Sequence, residues 1–220
     1  MVDPVASQLA EQLHSLHIET TELERQSLLR FLDEMLHWNR RYNLTAITER
    51  MDAVERHLVD SLSLLKLGQL SGPLLDIGSG PGLPGIPLGI VRPELEIVSL
   101  ERTGKKALFQ KHVVRYLSLK NVRVLNLRAE QAISDPTLGG SCSAVVSRAF
   151  SDLIQFGRLA LPFLRSGGEL LAMKGPAGRG ELERASETLA GYGLHLETEQ
   201  ALRLPATGAE RLLLRFRYQP

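Results

Sequence analysis

The sequence contains one cysteine and no long apolar segment. The lone thiol, Cys142, excludes an internal disulfide and every cysteine-rich zinc site, and it is typical of a protein in a reducing compartment. No apolar run approaches the ~18–20 residues that a membrane span needs. The first ten residues include Asp3 and Pro4 and lack the basic-then-apolar pattern of a secretion signal. We therefore expect a cytoplasmic protein that does not associate with a membrane.

Metal-ligand spacings and internal repeats are also missing. His14 and His17 have no third ligand at a suitable spacing, so no metal is expected. Ordinary glycine and proline content, with 23% charged residues, excludes collagen, coiled coil and bulk disorder. The chain has 220 residues, 43% of them hydrophobic, and can bury a core without covalent or metal staples. We expect one domain with at most a small appendage, acting as a monomer.

Charge is unevenly distributed along the chain although the net charge is only +1. Residues 1–72 carry seven basic and eleven acidic side chains, whereas residues 73–220 carry nineteen and fourteen. The segment 102–128 contains eight Lys and Arg residues and no acid. A stretch of one sign is either a solvated face or a contact for a polyanion, and charge alone favours the solvated face.

The apolar periodicity changes near residue 70. Before it, apolar residues recur at helical spacing, as in Leu28, Phe31 and Leu32. After Ser71-Gly-Pro73, short apolar runs alternate with helical stretches, which is typical of a mostly parallel sheet with helices on both faces. The expected strands are 74–77, 97–100, 122–127, 144–147 and 169–173, followed by an antiparallel pair near 194–198 and 212–216. We therefore predict a helical extension over residues 1–70 and an α/β domain over residues 71–220.

A glycine-rich segment, Leu74-Leu-Asp-Ile-Gly-Ser-Gly-Pro-Gly-Leu-Pro-Gly85, carries the strongest chemical signal. An apolar strand ends in Asp76 and continues into Gly78, Gly80 and Gly82 at alternate positions. Glycines let the backbone turn tightly and approach a ligand without a Cβ in the way. In parallel sheets, ligands bind outside the carboxyl ends of the strands. The segment therefore predicts a nucleoside site at this edge of the sheet.

The type of nucleoside follows from the chemistry around the glycines. Residues 80–85 match G-x-G-x-x-G, but counted from Gly78 the third position is Leu83, which spoils a dinucleotide fingerprint. Pro81 and Pro84 remove two N–H groups that would cradle a phosphate. Asp76 would repel a pyrophosphate and favour a cation. S-adenosylmethionine, which has an ammonium and a sulfonium but no phosphate, therefore fits better than NAD.

Charged residues follow the other predicted strands. Glu101 ends the second strand, where an acidic residue commonly accepts hydrogen bonds from ribose hydroxyls. Ala129 and Glu130 lie just past the third strand, where the adenine would sit, and Arg148 and Lys174 end the fourth and fifth. Their convergence on one edge favours a site. His57, Asp60 and Ser61 resemble triad residues only superficially, because no G-x-S-x-G elbow exists and their spacing favours hydrogen bonds within a helix.

The segment from Asp76 to Leu88 resembles the signature of a bacterial family of 16S ribosomal RNA guanine-N7 methyltransferases, also called glucose-inhibited division protein B. Further matching segments are Trp38-Asn39, Tyr42-Asn-Leu-Thr45, His57-Leu-Val-Asp-Ser61, Val91-Arg-Pro93, Ser147-Arg-Ala-Phe150 and Lys174-Gly175. The resemblance implies a class I methyltransferase fold, S-adenosylmethionine as cofactor, and methylation of a guanine in the decoding-region loop of the small-subunit RNA.

The resemblance also implies roles for individual residues. The cofactor contacts fall on Gly78, Leu83, Ala129, Glu130 and Arg148, with Glu101 at the ribose position, where other members often have Asp. Guanine N7 has a free lone pair, so no general base is expected and catalysis would consist of positioning. Arg148 is the expected catalytic residue, contacting the cofactor carboxylate or the guanine O6 edge.

The expected partner is 16S rRNA or the 30S subunit. The candidate RNA contacts are Asn43, Lys105, Lys106, Lys111 and Lys174. Two other functions stay open at this point. A nicotinamide-dependent oxidoreductase would bind NAD and not S-adenosylmethionine. A non-catalytic rRNA-binding or assembly module would bind rRNA even after Gly78→Asp.

Overall fold

The sheet of the computed structural model, which describes residues 3–148, 150 and 152–220, has seven strands. They are β1 (Leu74–Ile77), β2 (Ile97–Leu100), β3 (Val122–Leu125), β4 (Cys142–Ser147), β5 (Leu164–Lys174), β6 (Leu194–Arg203) and β7 (Glu210–Tyr218). Their order is β3-β2-β1-β4-β5-β7-β6, and β7 runs antiparallel to both of its neighbours. The predicted fold class and the closing antiparallel pair are therefore confirmed, with β1 and β2 at their predicted bounds.

Alternate residues of each buried strand face opposite sides of the sheet, as the two-residue period of a strand requires. On β1, Leu74 belongs to one hydrophobic core and Leu75 to the other. The helices on the second side are α7 (Ala129–Ala132), α8 (Leu153–Ala160), a 3₁₀ turn (Leu161–Phe163) and α9 (Gly178–Gly191). On the first side lie α5 (Gly85–Val91) and α6 (Gly104–Tyr116) together with the N-terminal helices.

Two long helices begin the described chain, α1 (Pro4–Ser15) and α2 (Glu22–Tyr42). Asp3 caps α1, and Thr21 with Glu24 forms a capping box that fixes the start of α2. Their apolar faces join the core on the first side of the sheet, where Phe31 packs 6.2 Å, centroid to centroid, from Phe109. The boundary at residue 70 stays a prediction, because these helices share their core with the sheet.

A third helical segment brings polar residues to the carboxyl edge of the sheet. It consists of α3 (Arg50–Ala53), a π-helix (Val54–Val59), α4 (Asp60–Leu62) and a 3₁₀ turn (Ser63–Leu67). The π-helix is a rare form that is frequent at functional sites. The Ser61 hydroxyl donates to the His57 carbonyl oxygen, so the hydrogen bonding expected within this helix is observed. Within the described residues, no helix is long and apolar enough to cross a bilayer.

Candidate active site

A cavity of about 670 Å³ opens at the carboxyl ends of β1, β2 and β4, within the usual size range of ligand pockets. Its walls are the glycine loop after β1, the segment 100–103 after β2, the start of α7, and Arg148 after β4. The cofactor contacts predicted from the sequence lie on these same segments. The structure brings together Gly78, Gly80, Leu83, Glu101, Ala129, Glu130 and Arg148 around this cavity.

The three glycines of the loop are needed for different structural reasons. Gly78 and Gly80 have φ of +70° and +58°, and a Cβ on either would meet no atom within 4 Å. Their backbones therefore turn in the left-handed region and face open space along the cavity wall. Gly82 does not line the cavity; a Cβ there would lie 2.3 Å from the Ile86 side chain. Gly82 thus allows the loop to pack onto α5.

Every backbone N–H of the glycine loop is already used within the protein. All residues from 78 to 86 are described. Five of their N–H groups donate to backbone carbonyls: Gly78 and Ser79 to Leu100, Gly82 and Leu83 to Ser79, and Ile86 to Gly82. Two more donate to carboxylates, Gly80 to Glu101 and Gly85 to Asp76. The two remaining positions are prolines, which have no N–H. A dinucleotide site holds its pyrophosphate with free amides at a helix N-terminus. This loop offers none over residues 78–86, so it suits a nucleoside without phosphate.

Two carboxylates shape the loop from opposite sides. Glu101 lines the cavity, and its two oxygens accept from Gly80 N at 2.8 Å and Thr103 N at 2.7 Å. Each oxygen keeps a lone pair for a ligand hydroxyl. Asp76 does not line the cavity: it is fully buried, its Oδ2 accepts from Gly85 N at 2.8 Å, and burial raises its pKa to about 7. Asp76 therefore supports the loop from beneath, and a direct cofactor contact for it stays a prediction.

A buried glutamine that the sequence analysis missed holds the glycine loop from behind. Gln110, on α6, is completely buried and donates to Ser79 Oγ at 2.8 Å and to the Gly80 carbonyl at 2.7 Å. Its own oxygen accepts from Ser99 Oγ at 2.6 Å. The available signal was a polar residue on the apolar face of a helix that follows the glycine loop.

A second cavity of about 570 Å³ adjoins the first, and we call it the groove. Arg148 lines both cavities. The charged residues that line the groove are Arg56, Asp60, Arg148, Lys174 and Arg211. Its positive excess makes it suited to a polyanion. No pattern in the sequence indicated Arg56 or Arg211 as site residues, and the spacing of Asp60 indicated only hydrogen bonding within a helix.

Arg148 is held where the two cavities meet. Its Nη1 donates to the Arg56 carbonyl oxygen at 2.8 Å and lies 3.4 Å from Asp60 Oδ2. Burial lowers the pKa of this guanidinium, while the charge of Asp60 opposes that shift. The neighbour Ala149, which belongs to one of the segments that carry the resemblance, lies outside the described residues.

The candidate RNA contacts lie at different places. Lys106 lines the cofactor cavity, whereas Lys105 and Lys111 are exposed on α6. Lys174 lines the groove, but its ammonium already donates hydrogen bonds to the Phe150 carbonyl oxygen and to the Glu181 carboxylate, both at 2.9 Å.

Asn43 lies apart from both cavities, exposed in the left-handed conformation (φ 49°) that ends α2. No group of three or more potential metal ligands is found among the described residues.

The sheet order, the antiparallel β7 and a glycine loop without free amides define a protein of the class I methyltransferase fold. Two solved structures share this fold at low sequence identity. A precorrin-6y C5,15-methyltransferase from Geobacter metallireducens has a TM-score of 0.54 at 18% identity, over 74% of this chain and 88% of its own. The [4+2]-cyclase SpnF has a TM-score of 0.59 at 15% identity, over 90% and 96%. Since one neighbour is a cyclase, the fold alone does not fix the reaction.

Sequence similarity identifies the family. The profile of rRNA small subunit methyltransferase G, also called GidB, matches residues 24–205. The ribosomal RNA small subunit methyltransferase G of Geobacter sp. (strain M21) is 43% identical over 209 residues, covering 95% of this chain and 92% of the relative. The chain belongs to the rRNA small subunit methyltransferase G family. The resemblance found in the sequence is confirmed, and a nicotinamide oxidoreductase is excluded.

Proposed function

We propose that the protein transfers a methyl group from S-adenosylmethionine to N7 of one guanine in the decoding-region loop of 16S rRNA, in the cytoplasm and as a monomer. The observation that carries the proposal is the junction of two cavities at Arg148. One cavity has the walls of a nucleoside site, and the other has a basic lining that suits RNA. Family membership supports the reaction and the class of substrate.

The cofactor cavity fits S-adenosylmethionine residue by residue. Gly78, Gly80 and Leu83 give close backbone approach, Glu101 has lone pairs for the ribose hydroxyls, and Ala129 with Glu130 borders the adenine position. When bound, the cofactor supplies an electrophilic methyl group. The internal hydrogen bonds of the loop keep these contacts fixed before the cofactor arrives, which lowers the ordering cost of binding.

The residues of the groove position the acceptor and do not deprotonate it. Guanine N7 carries a lone pair and no proton, so the transfer needs alignment and exclusion of water. His57, the one histidine lining the groove among the described residues, is held neutral because burial lowers its pKa to about 4. His57 Nε2 forms a hydrogen bond with Thr45 Oγ1 at 2.9 Å. Arg148 donates either to the cofactor carboxylate or to guanine O6.

Outside the two cavities, the basic face of α6 contacts the RNA backbone. Lys105 and Lys111 are exposed there, and Lys106 reaches the rim of the cofactor cavity. Phosphate contacts of this kind add affinity without sequence preference and weaken as salt rises.

The test uses purified protein, tritiated S-adenosylmethionine and 30S subunits that lack the modification, with primer extension to map N7 methylation. Label at a single guanine is the expected result, and naked 16S rRNA assayed in parallel identifies the preferred substrate. If calorimetry shows that S-adenosylmethionine binds but no RNA becomes labelled, the proposal that guanine N7 of 16S rRNA is the methyl acceptor is overturned. Binding of 30S subunits that survives Gly78→Asp, without label in the unmodified protein, would point to the non-catalytic module instead.

A further inference from the structure

One buried carboxylate joins the two arginines that line the groove from β4 and β7. Asp60 Oδ1 accepts from Arg211 Nε at 2.7 Å. Its Oδ2 lies 3.4 Å from Arg211 Nη2 and 3.4 Å from Arg148 Nη1. The Asp60 side chain is only 5% exposed, whereas the side chains of Arg148 and Arg211 are 24% and 22% exposed. All three side chains line the groove, and the carboxylate is the least exposed of them.

The same helical segment makes two more long-range contacts at the groove. The Arg56 carbonyl accepts from Arg148, and the Glu55 carboxylate accepts from the backbone N–H groups of Ala206 and Thr207 in the β6–β7 turn. Glu55 is almost fully buried. The segment therefore fixes both walls of the groove, one at the end of β4 and one at the hairpin.

A negative charge at this position is unfavourable for binding RNA. Asp60 is the one acidic residue lining the groove among the described residues, beside four cations, and an RNA phosphate would be repelled by it. Two guanidinium groups without a carboxylate between them would also repel each other and lose their common orientation. The carboxylate therefore favours the geometry of the arginines at the expense of affinity.

We propose that Asp60 is a positioning residue that holds Arg148, at the junction of the two cavities, and Arg211, within the groove, as a fixed pair. Arg211 contacts the phosphate next to the acceptor guanosine, and Arg148 lies at the reacting end. This inference rests on the proposed function. It assigns Asp60 to the alignment of the bound nucleotide, and not to binding of the cofactor or of RNA in general.

The test compares Asp60→Asn, which keeps the shape and removes the charge, with the unmodified protein on 30S subunits. We expect kcat to fall by at least about tenfold, since a misaligned acceptor loses productive geometry. The Kd for the 30S subunit should stay the same or decrease, because a negative charge has been removed. The Kd for S-adenosylmethionine should stay within about twofold, because Arg148 keeps its hydrogen bond to the Arg56 carbonyl oxygen. Asp60→Glu keeps the charge on a longer side chain and should recover part of kcat.

The chain contains a matched control at the other end of the sheet. Glu169, in the middle of β5 and level through Ala144 with the amino end of β1, is also a buried carboxylate between two arginines, 3.5 Å from Arg215 Nη1 and 2.9 Å from Arg217 Nη2. It lines neither cavity. Glu169→Gln removes the same kind of charge and should lower the melting temperature while leaving kcat within about twofold.

Three outcomes would overturn the inference. The first is a kcat of Asp60→Asn close to that of the unmodified protein. The second is an equal loss of kcat in Asp60→Asn and Glu169→Gln, which would make Asp60 merely structural. The third is a loss of 30S binding that accounts for the whole defect of Asp60→Asn. If the unmodified protein labels no RNA, the proposed function itself is wrong, and the role proposed for Asp60 is then wrong as well.

Discussion

Replacing Gln110 by methionine tests whether the glycine loop is held from behind. Methionine fills a similar volume on α6 but cannot donate to Ser79 or to the Gly80 carbonyl, nor accept from Ser99. All four residues are buried or line the cofactor cavity. The substitution therefore removes three hydrogen bonds, of which those to Ser79 and Ser99 join buried side chains.

The size of the effect follows from those three bonds. Each contributes a net of about 1 kcal/mol, so the free energy of unfolding should fall by about 3 kcal/mol. For a chain of this length, 1 kcal/mol corresponds to roughly 2–4 °C, so the melting temperature should fall by roughly 6–12 °C. In the variant the loop is no longer held in place beforehand, so the cofactor must order it on binding. A cost of about 1.4 kcal/mol, on the order of one lost hydrogen bond, would weaken S-adenosylmethionine binding about tenfold.

The assay is thermal unfolding followed by calorimetric titration with S-adenosylmethionine. Gln26→Met is the control, because Gln26 lies on the exposed face of α2 and, among the described residues, its side chain makes a single hydrogen bond, to Glu22 at 3.1 Å. Its melting temperature should shift by no more than about 2 °C. The reasoning is refuted if Gln110→Met melts within about 2 °C of the unmodified protein, or if it melts early but binds S-adenosylmethionine with unchanged affinity.

Three further predictions concern single groups. Arg148→Ala should lower methyl transfer to 30S subunits at least about 100-fold while circular dichroism shows the fold intact, and near-normal turnover would contradict the role of Arg148. Burial raises the pKa of Asp76 from 3.8 to about 7, so the folded protein keeps a proton that the unfolded chain has released, and this site loses stability as pH rises from about 4 to about 7. The melting temperature of Asp76→Asn relative to the unmodified protein should therefore increase between about pH 5 and about pH 7.5, and a constant difference would contradict the shift. Burial raises the pKa of the Cys142 thiol to about 11, so a disulfide reagent should label it slowly in the native protein and rapidly in guanidinium.

The strands and the cofactor edge could be predicted because local patterns encode them. All four residues of β1 (Leu-Leu-Asp-Ile) and of β2 (Ile-Val-Ser-Leu) are buried, so each strand reads as a short, mostly apolar segment with one polar residue at its third position. The alternate glycines after β1 indicate a turn that only glycine accommodates, and Gly78 and Gly80 do have positive φ. Glu101 was found because its place at the end of the next strand is itself a local feature.

The groove could not be predicted, because no local pattern connects its residues. Asp60 and Arg211 lie 151 positions apart and meet only after the N-terminal segment packs beside the last hairpin. In the sequence, Arg211 is one of three arginines among the apolar residues of β7, and nothing in the pattern distinguishes it from the other two. Asp76 shows a different limit. Its position at the end of a strand indicates the site, but the strand's own alternation turns its carboxylate beneath the loop, toward Gly85.

The separation in sequence between the two walls of the groove has a consequence for synthesis. Every residue that lines the cofactor cavity lies between Ile77 and Leu159, whereas the groove also needs residues of the β6–β7 hairpin, from Leu204 to Arg211. On the ribosome, where the chain emerges from its N-terminus, the nucleoside site is complete in sequence before the hairpin exists. Until the hairpin is made, Asp60 lacks its contact with Arg211, and Glu55 lacks its contacts with Ala206 and Thr207. The pairing of Arg148 with Arg211 through Asp60 and the contacts of Glu55 with the hairpin therefore form only after every described residue that lines the cofactor cavity has been synthesised.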